Sequence, residues 1–261
     1  MKIGLSTLFL SGKPYEKCFS VMEKYGQVCK GWEIVDEDKM KLDEKIVRRL
    51  KELAASYGFE YCVHAPFCDL NIASLNPALL DISLKAVEKS AAKAALLEAK
   101  MFIFHPGFRG ALDSFYPNLA WEVNLKSVER ISKLAESLSL PHAIENMPQN
   151  IPAVLARVED FQEFFSSMES SSLGFALDIG HSNIVGQTEL FIRRFQKRIS
   201  HVHLHDNRGD RDAHLELGAG TTSWLPTVKK FQAFGFNGYF MVESIFNPYG
   251  SFLKLKEASK P

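Results

Sequence analysis

Net charge is the first thing this chain lacks. Thirty-one Lys and Arg balance thirty-one Asp and Glu, so no global field draws it to nucleic acid or to an anionic membrane. Cysteine is sparse as well. Cys18, Cys29, Cys62 and Cys68 form no C-x-x-C pair and are too few for a disulfide framework, which fits a reducing cytosol. No apolar run approaches membrane-spanning length, and the opening segment "MKIGLSTLFLSGK" is too poor in apolar residues for a signal h-region. The expectation is a cytoplasmic protein without a membrane partner. Also missing is a G-x-G-x-x-G turn after the first strand, the usual cofactor signature of an open doubly wound sheet.

What is present is 46% hydrophobic content over 261 residues, enough to bury a full core and ordinary for one α/β barrel. Short β-branched or aromatic runs recur at 2–7, 31–37, 61–67, 101–107, 142–147, 174–181, 199–207 and 239–244. Between them lie helix-period segments such as "DEKIVRRLKELAASYG", "PALLDISLKAVEKSAAKAALLEA" and "LAWEVNLKSVERISKLAESL". Several stop at glycine or proline, including Gly58 and Pro141. Strict strand–helix alternation implies a parallel sheet, and eight units close it into a (β/α)₈ TIM barrel spanning 1–261 as a single domain. The segment "ENMPQNIPAVLA" reads as a loop over the barrel mouth, and the tail "KEASKP" is expected to fray.

Nine residues able to bind metal fall at or just beyond the ends of these strands: His64, His105, Glu145, Asp178, His181, His203, Asp212, His214 and Glu243. That is where barrels of this kind build active sites. Only Asp212 and His214 sit on a loop, the one after strand 7. The mixture of imidazole and carboxylate suits Zn²⁺ or Mn²⁺, and nine donors exceed what one tetrahedral ion takes. A lone strand histidine is ordinarily a satisfied core residue, whereas a carboxylate buried in a barrel needs a cation or hydrogen-bond donors to offset its desolvation. Strand 7 carries His201, His203 and His205 on one inward face at different heights, so only the upper one or two reach the mouth. His201, and His142 at the start of strand 5, are read as structural.

The segments "VHAPFCDLNIAS", "FIFHPGF", "IEN", "LDIGH" and "HLHDNRGDRDAHLELGAG", followed by the glutamate of "MVES", together resemble the xylose-isomerase-like barrel superfamily, AP endonuclease family 2, which includes the endonuclease IV type. The resemblance implies a trinuclear zinc site. His64, His105 and Glu145 would surround one ion, with Glu145, Asp178, His181, His203, Asp212, His214 and Glu243 completing the other two. For the sugar isomerases and epimerases of the same superfamily it implies a smaller set, Glu145, Asp178, His203 and Glu243, around one divalent ion. Two departures stand out. His205 occupies a position where the endonuclease pattern has Asn, and the loop after strand 2, "VDEDKMKLDE", is acidic where a DNA-binding relative presents basic and aromatic residues.

Two chemistries follow. In the first and favoured one, a multinuclear site hydrolyses a phosphoester or phosphodiester, such as abasic DNA. Glu145 would then orient a hydroxide, and Arg109, Arg208 or Arg211 would hold phosphate. In the second, one ion holds an open-chain sugar or sugar phosphate while Glu145 and Glu243 move a proton between adjacent carbons. Trp32, Phe67 and Trp224 would supply the apolar wall.

Overall fold

The computed structural model describes residues 1–260, so Pro261, the last residue of the expected domain, lies outside them. Eight parallel strands close on one another in chain order. They are Lys2–Ser6 (β1), Gly31–Val35 (β2), Glu60–His64 (β3), Phe102–Phe104 (β4), His142–Glu145 (β5), Gly174–Asp178 (β6), Ile199–Leu204 (β7) and Tyr239–Val242 (β8). The α-helices around them are Tyr15–Tyr25 (α1), Glu44–Tyr57 (α2), Pro77–Leu96 (α3), Leu119–Ser137 (α4), Val158–Ser167 (α5), Ile179–Val185 (α6), Thr188–Phe195 (α7), Trp224–Ala233 (α8) and Pro248–Ala258 (α9). The expected barrel is present. No helix among the described residues is long and apolar enough to cross a membrane.

Two cores follow from the period-2 alternation of strand side chains. Outward-facing residues such as Trp32, Phe102, Phe104, Phe175 and Phe240 pack beneath the helices in one continuous apolar shell. Inward, Cys62, Ile103, Ala143, Ala176, Tyr239 and Met241 form a small separate cluster inside the barrel. Two residues further along five of those strands stand His64, His105, Glu145, Asp178 and Glu243. The alternation that buries the small cluster therefore aims this ring of titratable groups at the mouth.

The helices are stopped and started by local chemistry. Asp43 caps α2, its carboxylate accepting the Ile46 N–H at 2.7 Å, and Gly58 ends it in the left-handed region with φ of 68°. Replacing Asp43 with Ala is expected to cost about 1 kcal/mol. Chemical denaturation should show a lower midpoint with an unchanged slope, and an unchanged midpoint would refute the cap's contribution.

Several strands are shorter than the sequence suggests. Those expected over 61–67 and 101–107 stop at His64 and Phe104, just ahead of Pro66 and of the Pro106–Gly107 pair, because proline has no N–H for the ladder. The strand expected over 174–181 ends at Asp178, and "IGH" opens α6 instead. His181 is thus a helix residue, not a strand-end or turn one, because the Asp178 carboxylate accepts its backbone N–H at 2.5 Å and nucleates the turn. At the other end, α9 continues to Ala258, so the first half of the tail expected to fray, Lys256, Glu257 and Ala258, is helical.

Candidate active site

All nine sequence-selected donors converge on the barrel mouth in overlapping groups. His64, His105 and Glu145 form one group, and Glu145, Asp178, His203 and Glu243 a second; within each, one donor atom per residue lies within 4.8 Å of the others. A third holds His181, Asp212 and His214 by the same measure, together with His205. Glu145 is the hub. One of its oxygens lies 3.2 Å from His64 Nε2 and 3.3 Å from His105 Nε2, and the other 3.0 Å from His203 Nδ1. His203 Nδ1 also stands 3.6 Å from Glu243 Oε2.

Backbone carbonyls set the tautomers of three of these rings. His64 Nδ1 meets Ala65 O at 2.8 Å, His181 Nδ1 meets Asn146 O at 2.8 Å, and His214 Nδ1 meets Glu243 O at 2.9 Å. A carbonyl only accepts, so Nδ1 donates in each case and, in the neutral ring, the Nε2 lone pair is turned into the site. This is the arrangement that orients histidine ligands in metal centres.

The carboxylates are buried together, which fixes their electrostatics. Burial alone would raise Glu145, but the His203 charge and hydrogen bonds from His105, His203 and His64 hold it well below the usual carboxylate range. Glu243 goes the other way. Burial, with Glu33 and Glu145 close by, pushes it up to about 7 against the pull of His203. Burial favours a neutral His203, yet Glu145, Glu243 and Glu33 lift it well above its ordinary value. Two neighbouring carboxyl groups thus differ in proton affinity, the usual basis for separate acid and base roles.

The donor set fits a divalent cation. Asp178 Oδ2 and both ring nitrogens of His205 are buried without a hydrogen-bond partner, and three buried carboxylates share one site. Mixed imidazole and carboxylate donors are what Zn²⁺ or Mn²⁺ takes.

Two functional positions are absent from the sequence reading. Glu33, at the centre of β2, is fully buried and accepts from His203 Nε2 at 3.2 Å, with His201 Nε2 2.9 Å away on its other side. A charged residue inside the apolar run "GWEIV" was the available signal. Asn146 ties the end of β5 to that of β6: it accepts the Asp178 N–H at 2.8 Å and donates to Asp178 O at 3.1 Å. His201 and His142 are buried, and His201 forms a further group of possible donors with Glu33 and His203.

A cavity of about 480 Å³ opens over the ring of donors, a size suited to a small molecule. Phe67, Phe108 and Met147 are among its apolar walls, and Pro148, Asn150 and Ile151 bring the "ENMPQNIPAVLA" loop to its rim as expected. Its only lining side chains able to carry positive charge, among the described residues, are imidazoles. Arg109 is paired with Asp113 at 2.9 Å, Arg208 and Arg211 are exposed on the loop after β7, and Trp224 packs half-buried against the outer core. Trp32 lies in that outer core and not on the cavity wall, because it faces outward from β2. A larger cavity of about 540 Å³ lies between the loop after β2 and α3, but its buried carboxylate, Asp36, is already engaged by the Leu42 N–H at 2.6 Å.

Comparison with known proteins agrees with this architecture. An uncharacterized protein of Methanocaldococcus jannaschii is 34% identical over 250 residues, covering 94% of this chain and 84% of its own. The crystal structure of a D-tagatose 3-epimerase-like protein superposes with a TM-score of 0.89 at 31% identity, over 98% of this chain and 95% of that one. A D-psicose 3-epimerase from Clostridium cellulolyticum H10, crystallised with D-tagatose, shares the fold at 17% identity, with a TM-score of 0.77 over 98% and 90% of the two chains. The model of the family described as xylose isomerase-like TIM barrel matches residues 19–257. With the closed barrel and the ring of donors at its mouth, that match leaves one assignment: this chain belongs to the xylose isomerase-like TIM barrel family.

Proposed function

We propose that this protein is a divalent-cation-dependent epimerase or isomerase of a small keto sugar. The observation that carries the reading is the pair Glu145 and Glu243, two buried carboxyl groups of unequal proton affinity in one small, apolar-walled cavity. Glu145, Asp178, His203 and Glu243 would hold the cation. When bound, it polarises a substrate carbonyl and so acidifies the neighbouring C–H. Glu145, the stronger acid of the two and hence ionised, accepts the proton from that carbon. Glu243, the second carboxyl group of the cavity, would return a proton to the opposite face of the carbon or to its neighbour. Phe67, Phe108 and Met147 exclude water while the carbanion-like species lasts. Among the described residues no Lys or Arg lines the cavity, which favours an unphosphorylated sugar.

The three-group constellation favours the phosphoester hydrolysis that the sequence put first. The small cavity, the acidic stretch Asp36, Glu37 and Asp38 beside the mouth, and relatives named for sugar epimerisation weigh more heavily toward the sugar. A panel of ketohexoses and ketopentoses assayed by chromatography, beside a phosphodiester and an abasic duplex, tests the choice. Turnover of a ketose alone supports the proposal, and turnover of the phosphodiester or the duplex alone overturns it.

Cation loading should release protons. In the cation-free protein three neighbouring carboxylates raise the affinity of His203 for a proton. A metal ligand must be deprotonated. Loading is therefore expected to release about one proton or more per cation at pH 7, and affinity to fall about tenfold per pH unit on acidification. Calorimetric titration in buffers of different ionisation enthalpy reads this directly. A proton count of zero would contradict it.

A further inference from the structure

We infer that the sugar taken by this cavity ends in a methyl group: its carbon farthest from the reacting centre carries no hydroxyl, as in a 6-deoxyketohexose. The inference rests on the epimerase reading and names the substrate class for that same site.

The polar groups of the cavity are gathered on one side. Glu145 and Glu243, the pair proposed to move the proton, lie among the imidazoles that the cavity opens over, and Asp212 and His214 extend this polar surface along the loop after β7. The Nε2 atoms of the rings are already matched. Those of His64 and His105 face Glu145 at 3.2 and 3.3 Å, and those of His181 and His214 face Asp212 at 3.2 and 3.1 Å.

Beyond these donors the lining is apolar or spent. The segments after β1, β3, β4, β5 and β8 contribute Leu8, Phe67, Phe108, Met147, Ile151 and Ile245. Among the described residues Ser11 and Asn150 are the remaining polar side chains of the lining, and both are engaged: Ser11 Oγ donates to Leu8 O at 2.7 Å, and Asn150 Nδ2 to Asp210 O at 3.3 Å.

The apolar wall begins at the donors themselves. Phe67 packs on two imidazoles, its ring centroid 5.3 Å from that of His64 and 5.1 Å from that of His105, and Met147 is buried two residues past Glu145. A sugar whose reacting carbons sit at Glu145 and Glu243 therefore runs its remaining carbons along hydrocarbon. A cavity of about 480 Å³ covers most of a small ligand's surface, so a terminal hydroxyl here gives up water and gains no partner, which is costly. A methyl group in its place avoids that cost and buries apolar area.

The test assays the cation-loaded full chain on matched pairs, D-tagatose and D-fructose beside 6-deoxy-D-tagatose and 6-deoxy-D-fructose, with products separated by chromatography. The deoxy sugar of each pair should have the higher kcat/KM by about tenfold to hundredfold, the scale on which an apolar pocket rejects an added hydroxyl. Met147→Gln sets an amide into the wall and should narrow that ratio by about fivefold or more. The ratio compares two substrates on one preparation, so partial misfolding lowers both rates and leaves it unmoved. Ile151→Asn, at a half-buried position, carries the same test if Met147→Gln prevents folding. Equal or faster turnover of the hydroxylated sugars would overturn the inference and leave the epimerase reading standing, as would a deoxy advantage that neither variant changes. No turnover of any of the four sugars would remove the reading and the inference together.

Discussion

Glu145→Gln is expected to lower ketose turnover by about 10²–10⁴-fold, the range a positioned acid–base group contributes. The substitution keeps size and shape but removes the charge that meets His64, His105 and His203 together. An amide cannot take a proton from carbon. Its single remaining oxygen cannot accept from the rings on both sides, His64 and His105 on one and His203 on the other, so the ring geometry is retained only in part. Cation content should fall in parallel, because Glu145 belongs to two of the donor groups. Steady-state kinetics and elemental analysis on the same preparation separate the two effects. Turnover within tenfold of the native chain, with cation restored by excess in the buffer, would remove Glu145 as the base.

The second large effect is on stability. Asp206 is fully buried one residue past His205, and its carboxylate accepts three backbone N–H groups: Asn207 at 2.9 Å, Thr222 at 3.0 Å and Gly218 at 2.8 Å. It gathers both ends of the loop that carries Asp212 and His214. Asp206→Ala leaves these donors without their partner, at about 1–3 kcal/mol for each that stays buried. A loss of roughly 3 kcal/mol or more corresponds to a fall in Tm of about 6–12 °C for a chain of this size. Calorimetry on the cation-free protein avoids confusion with metal loading. A fall under about 2 °C would show that the loop is held by something other than this carboxylate.

The barrel was legible because its period-2 and helix-period patterns are strong and alternate without interruption. The mouth was legible for the same reason. His64, His105, Glu145, Asp178 and Glu243 end runs of β-branched and aromatic residues, where a charged or polar side chain is conspicuous. Residues whose placement depends on partners distant in sequence were not legible. Glu33 is one charge in an apolar strand, and nothing local shows that it meets His203, 170 positions away. His205 stood beside His203 as an alternative strand 7 donor, and only the approach of His181, Asp212 and His214 shows which group it joins. The roles of Arg109, Arg208, Arg211 and Trp224 rested on charge and ring type alone. Side chains that long can turn to solvent or to a neighbouring carboxylate as readily as to a cavity, as Arg109 does with Asp113.

Glu33 and His201 sit where barrels of this architecture ordinarily carry branched aliphatics. Burying charge there is seldom a gain for folding, and well-packed apolar replacements of such groups are often neutral or stabilising. A screen for heat resistance should therefore harvest aliphatic pairs at these two positions early. The survivors would be sturdier barrels whose His203 ring had lost its anchor, so selection for robustness and selection for turnover would pull this interior layer in opposite directions.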